Sequence, residues 1–175
     1  MNIDKFAALR RTDLFGNLSD DLLKKIAGLA IVRHLKRGQV LYSEHDEASA
    51  LYVVARGEIR SIRQSAEGRE QVLSTEVAGA ILAAVPVFNG GKFYSTMIAD
   101  STSEVLSIDR QNVHELCRAH TEILWNLARV LAHKVRHCAE LIETLALRSV
   151  EQRLAQYLLT IARERGIPEG EGSIV

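Results

Sequence analysis

SEVLSIDRQNVHELCRAHTEILWNLARVLAHKVRHCAELIETLAL, residues 103–147, runs from a strand-like piece through a short helix into a long one. Asp109 has the side chain of an N-cap, and the spacing predicts a helix from there through Ala119. From Thr121 to Leu147 the chain has neither glycine nor proline, and Leu124, Leu127, Leu131, Lys134, Cys138, Leu141 and Leu145 recur at alternating steps of three and four. That is the spacing of a coiled-coil seam, interrupted at Lys134 and Cys138. A small β-roll cannot cover an amphipathic helix of about seven turns. A second copy of the same helix can, so the chain is expected to form a homodimer.

Upstream the period changes. Val32 and His34, Gln39 to Tyr42, Leu51 to Val54, Ile59 to Ile62 and Gln71 to Leu73 read as short strands, separated by turns at Lys36-Arg37-Gly38, Arg56-Gly57-Glu58 and Glu67-Gly68-Arg69. Ser95 to Ala99 and Ser103 to Ile108 complete the set, and hairpins at this spacing indicate an antiparallel roll. Ahead of it, Asp4 to Arg11 has helical spacing and Leu14-Phe15-Gly16 forms an apolar plug. Ser19, followed by Asp20 and Asp21, starts a second helix with Leu22, Leu23, Ile26 and Leu29 on its apolar face. Downstream, Ser149 and Gln152 fit a capping box for a helix from Val150 to Arg165 that ends at Gly166 before Pro168, and Glu169 to Ser173 reads as a linker.

With 47% apolar and 25% charged residues, the 175-residue chain has the composition of a globular domain with its own core. Twenty-two basic side chains balance twenty-two acidic ones, which gives no overall attraction to nucleic acid or anionic lipid. No apolar run approaches the roughly 20 residues of a membrane span, and MNIDKFAALRR lacks a signal-peptide core, so the expected compartment is the cytoplasm. Cys117 and Cys138 make no disulfide framework and are expected to be reduced.

This order of elements, with Gly38, Leu51-Tyr52, Gly57, Gly68 and Gly79 in register and SEVLSIDR and VEQRLAQYLL following, resembles the Crp/Fnr family of bacterial transcription regulators. The resemblance implies an α+β, mainly antiparallel fold. That fold is a double-stranded β-helix (jelly roll) of the cyclic-nucleotide-binding type, with N-terminal helices and a long C-terminal dimerisation helix. Residues 1–120 would form the sensor roll, 121–147 the dimerisation helix, and 148–175 the start of the DNA-binding region. The family's winged helix-turn-helix lies beyond the point where the resemblance ends, at Val175. The implied function is effector sensing and dimerisation for a regulator that reaches DNA only through that further domain. A stand-alone regulatory module of the same type is the alternative.

In the family's nucleotide sensors, a cassette that begins Gly-Glu and ends Arg-Ser or Arg-Thr supplies backbone N–H groups, a ribose-binding carboxylate and a phosphate-binding arginine. Here the matching stretch runs from Gly79-Ala80-Ile81-Leu82 to Tyr94-Ser95-Thr96, with Ala80 at the glutamate position and Tyr94 at the arginine position. No arginine lies between Arg69 and Arg110. Lys92, the one cation in the cassette, reads as a solvated lysine beside a glycine turn. An ungapped match of the long helix puts Cys138-Ala139 where the cyclic-AMP sensors carry a Thr-Ser pair. Cyclic AMP is therefore not the expected effector. Gly79, Ala80, Ile81, Leu82, Tyr94, Ser95 and Thr96, with Lys134 and Cys138 of the long helix, are the candidate effector-binding residues. Two readings of the apolar run Ala80 to Phe88 stand open: the wall of a pocket for a hydrophobic ligand, or a collapsed core.

An iron–sulfur cluster needs several cysteines near the N-terminus, and none precedes Cys117. No resident cofactor or metal is expected. His133 and His137, one turn apart beside Cys138, read as a polar stripe flanking the seam, with haem ligation as the alternative. His45-Asp46-Glu47 lacks the second histidine of a cupin metal site, and no nucleophile elbow, HExxH or phosphate loop occurs, so no enzyme activity is expected.

Overall fold

The computed structural model describes residues 3–65 and 68–147, together with scattered positions between 152 and 174. Its contacts divide the chain at Val130 and Leu131 into two units. In the first unit, α1 (Lys5–Arg10) starts at Asp4, whose carboxylate accepts from Ala7 N at 3.0 Å, and α2 (Asp20–Leu29) starts at Ser19, whose hydroxyl accepts from Leu22 N. Each cap satisfies an amide that the first helical turn leaves without a backbone acceptor. Arg10 donates to the carbonyls of Gly16 and Leu18 and pairs with Asp20, which fixes the bend between the two helices. Leu14 and Phe15 are buried there as the apolar plug, and Leu22, Leu23 and Ile26 are buried on α2, while Leu29 at its end is only half-covered.

Eight strands follow: β1 (Ile31–Leu35), β2 (Val40–Tyr42), β3 (Ala50–Arg56), β4 (Glu58–Gln64), β5 (Glu70–Val77), β6 (Ile81–Leu82), β7 (Thr96–Ala99) and β8 (Ser103–Asp109). They build two antiparallel four-stranded sheets, ordered β1-β8-β3-β6 and β2-β7-β4-β5. The turn between β3 and β4 requires Gly57: its φ is +88°, and a Cβ there would overlap the Ser103 side chain and backbone. Every residue of β3 except Arg56 is buried, so this strand is covered on both faces. The hairpin strand β5 runs to Val77, four residues beyond the end of the Gln71–Leu73 piece read from sequence, because it pairs with the whole of β4.

Between β6 and β7 the apolar run forms a short helix, α3 (Ala84–Asn89), which the sequence periodicity did not reveal. After β8, α4 (Arg110–Ala119) is capped by Asp109, which accepts from Gln111 N at 2.7 Å. The long helix α5 spans Thr121–Leu147, as the spacing predicted. Its first turns belong to the roll's core: Ile123, Asn126 and Leu127 are buried. Asn126 donates to Leu14 O at 2.9 Å and exchanges amide hydrogen bonds with Asn17, so a buried polar group is fully partnered. That anchorage is why the contact boundary falls inside α5 rather than at residue 120.

In the second unit, Gln152, Ala155, Leu158, Leu159 and Ile161 are helical, and β9 (Pro168–Glu169) pairs with β10 (Ser173–Ile174) where a linker was read. The capping box at Ser149 and the helix limits at Val150, Arg165 and Gly166 lie outside the described residues.

Candidate effector site and dimer seam

The inner face of the β2-β7-β4-β5 sheet is built by strand alternation. Tyr42 lies opposite Met97, Met97 opposite Ser61, and Ser61 opposite Ser74, so one row of side chains crosses all four strands. In the next row Ile59 sits between Ala99 and Glu76. Ser61 Oγ donates to Ser95 Oγ at 2.8 Å, with both residues 1% exposed, and Ser74 Oγ donates to Glu76 Oε1 at 2.9 Å. Tyr42 reaches across to the other sheet: its ring stacks on Phe93 with centroids 3.7 Å apart and meets Tyr52 at 5.4 Å. Burial holds the Tyr42 phenol above its ordinary pKa, and the neighbouring Tyr94, Tyr52 and Glu76 push it in the same direction.

The cassette borders this face. Gly79 takes φ +98° where a Cβ would approach Arg11 O at 3.1 Å, and its N–H donates to Val54 O at 2.8 Å. Ala83, immediately before α3, takes a left-handed conformation with φ 64°, a position at which a non-glycine residue costs about 1 kcal/mol. The short helix thus begins at Ala83-Ala84, four residues after Gly79-Ala80. Neither pair supplies a carboxylate. At the other end of α3, Gly90 and Gly91 both donate to Pro86 O, and Lys92 Nζ turns to Glu47 at 3.9 Å, which agrees with the solvated reading of that lysine. His114 Nε2 lies 3.0 Å from Val87 O and links α4 to α3.

Of the sequence-derived effector residues, Ser95 and Leu82 are buried, Ser95 on the inner face, while Gly79, Ala80 and Ile81 are half-buried. Tyr94 is 58% exposed. Thr96 faces the opposite way: strand alternation turns it outward, and its hydroxyl accepts from Glu44 N at 2.9 Å. Lys134 and Cys138 stand on an exposed stretch of α5 in the second unit. Tyr42, Ser61, Ser74 and Glu76 escaped the sequence reading, and counting residues across the Gly68 turn would have placed Thr75, not Glu76, opposite Ile59. Two open grooves elsewhere, of about 630 Å³ beside Arg63 and Leu73 and about 610 Å³ beside Ser49 and His114, contain none of these inner-face side chains. No group of three or more histidine, cysteine or acidic side chains placed to hold a metal ion occurs among the described residues, and His133 and His137 are exposed.

On α5, one of the seam positions read from sequence is covered by the chain itself. Leu127 is 7% exposed within its own chain, so it is not free for a partner. The exposed apolar positions are Leu124 (43%), Trp125 (76%), Val135 (68%) and Ile142 (66%). Leu124, Ala128, Leu131, Val135, Cys138, Ile142 and Leu145 keep alternating steps of four and three and leave out Leu127, Lys134 and Leu141. The lysine that interrupted the sequence-derived seam falls beside the new one.

Two antiparallel sheets closed by a short helix, with a long helix after the last strand, define a jelly-roll domain. Residues 32–120, just over half the chain, match the cyclic nucleotide-binding domain model, and the chain belongs to that family. It is 26% identical over 134 residues to the CRP-like cAMP-activated global transcriptional regulator of Mycobacterium tuberculosis, covering 77% of this chain and 60% of that protein. Among solved structures it resembles the Thermus thermophilus catabolite activator protein, with a TM-score of 0.72, 24% identity and coverage of 88% of this chain and 72% of that one. It also resembles the sensor domain of the Pseudomonas aeruginosa transcriptional regulator DNR, with a TM-score of 0.68, 21% identity and coverage of 81% and 95%. The chain thus spans about 60% of the length of the curated relative it matches. No described helix is long and apolar enough to cross a membrane.

Proposed function

We propose that this chain is the effector-sensing and dimerising part of a cytoplasmic Crp/Fnr-type transcription regulator that does not respond to cyclic AMP and meets DNA through a domain outside these residues. The observation that supports this is the chemistry of the roll's inner face. Tyr94 stands at the arginine position, neither Ala80, at the glutamate position, nor Ala84, which opens α3, carries a carboxylate, and no arginine of the cassette replaces the lost one. A bidentate arginine and a ribose acceptor each contribute roughly 1.5–3 kcal/mol, so losing both lowers nucleotide affinity by several kcal/mol. The effector site is the inner face around Ser61, Ser95, Leu82 and Tyr94. A signal from it has a direct route: α3 leans on α4 through His114, and α4 is followed at once by the seam helix.

Calorimetric titration with cyclic AMP and cyclic GMP tests the effector half, and the expected result is no binding at micromolar concentration. Micromolar affinity for either nucleotide overturns it. An electrophoretic shift tests the DNA half: residues 1–175 should not retard DNA in a sequence-specific way, since the chain has no net charge to release counterions.

A further inference from the structure

The first two turns of α5 carry two opposite faces. Ile123, Asn126 and Leu127 are buried in the roll's core, where Asn126 donates to Leu14 O. On the other side Thr121, Leu124, Trp125 and Ala128 are all exposed, at the spacing i, i+3, i+4, i+7 that makes one contiguous helical patch. Trp125 is the only tryptophan of the chain, and at 76% it is the most exposed large apolar side chain among the described residues. An indole left in water forgoes the burial of about 150–250 Å² of largely apolar surface. The helix cannot roll to hide it, because Asn126 and Leu127 fix the inward face of the same turn.

In a two-stranded coil each seam side chain enters a hole between four residues of the facing helix. Along the register Leu124, Ala128, Leu131, Val135, Cys138, Ile142 and Leu145, the β-branched Val135 and Ile142 share one seam position and Leu131 and Leu145 the other, the combination that parallel helix pairs favour. In a parallel pair, the hole that receives Leu124 is made by Thr121, Leu124, Trp125 and Ala128 of the second copy, the same four residues that stand exposed. The patch is therefore complementary to itself: it supplies both knob and hole, as a twofold interface requires. It is also continuous with the rest of the seam through Ala128. Ala132 and Ala139, which occupy the position of Trp125 one and two heptads later, build no comparable wall.

We infer, on the reading of α5 as a dimerisation helix, that this patch is the anchor of the dimer and is taken by the same patch of a second copy, with each Trp125 ring closing over the Leu124 pair. The weight of the contact then lies at the end of α5 that is fastened to the roll, and the alanine-flanked turns beyond it contribute less.

The single tryptophan serves as its own probe. Fluorescence emission of the wild-type chain is recorded across a dilution series whose monomer–dimer balance is read by sedimentation equilibrium, and the emission maximum is expected to move to shorter wavelength as the chain associates, with the same midpoint. Trp125→Ala should raise the dimer Kd about thirtyfold or more, the effect of losing a buried aromatic anchor, and Trp125→Phe by less than about tenfold. Circular dichroism should show both variants folded, since the indole lies outside the core. A dimer whose emission does not move on association, or whose Kd changes by less than about threefold in Trp125→Ala, overturns the inference: the dimer stands, and this face is left for a different partner. A wild-type chain that stays monomeric throughout the series overturns the dimerising part of the functional reading and the anchor with it.

Discussion

Val135→Asp distinguishes the two possible seams of α5. Val135 is 68% exposed in the single chain, so about two-thirds of the 1.5–3 kcal/mol that burying a valine contributes is left for a partner helix, roughly 1–2 kcal/mol per protomer. A symmetric dimer loses it twice, about 2–4 kcal/mol, before the repulsion of two facing aspartates is added, which raises the dimer Kd roughly 30- to 1000-fold. Lys134→Asp, one position away but outside the revised seam, should change the Kd by less than about threefold, as a substitution on a solvated face does. Sedimentation equilibrium over a range of concentrations reads both, and circular dichroism should show both variants folded, because neither side chain enters the core. If Lys134→Asp dissociates the dimer and Val135→Asp does not, the seam runs through Leu124, Leu127 and Lys134 after all. A wild-type chain that stays monomeric at tens of micromolar refutes the dimer itself.

Asn126→Ala removes a buried amide that satisfies Leu14 O and Asn17, and should cost about 1–3 kcal/mol, read as a lowered melting temperature with little change in dimer Kd. For Tyr42 the folded-state pKa is raised, so the native phenol keeps its proton where the unfolded one loses it. Its stabilisation is complete below the ordinary tyrosine value of about 10 and is lost as pH rises above it. Tyr42→Phe should flatten that alkaline loss in chemical denaturation curves, and an unchanged slope would place the cause elsewhere. Burial pushes the Cys117 thiol up, so iodoacetamide at mild alkaline pH should label exposed Cys138 and spare Cys117 until the chain is unfolded.

The parts legible in the sequence are those fixed by chemistry within a few residues. Ser19 and Asp109 mark helix starts because their side chains satisfy amides two or three positions on, and the bounds Thr121–Leu147 follow from an uninterrupted helical period. The parts missed depend on partners far away in the chain. Leu124 and Leu131 fit either seam register, and the observation that favours one of them, the burial of Leu127, comes with an anchorage of the neighbouring Asn126 to Leu14 O, more than 100 residues upstream. In the cassette, AILAAVPVF has no period that separates strand from helix, and the left-handed residue before α3 is an alanine rather than the glycine that would have announced it. The inner face was hidden for a further reason. The register shifts between Ser61 and Ile62, leaving Leu73 of β5 as an extra residue, so simple counting from the turn cannot carry Ser61, Ser74 and Glu76 to the same side. Ser61, Ser74 and Glu76 therefore come to one face only through a pairing register that the sequence does not announce.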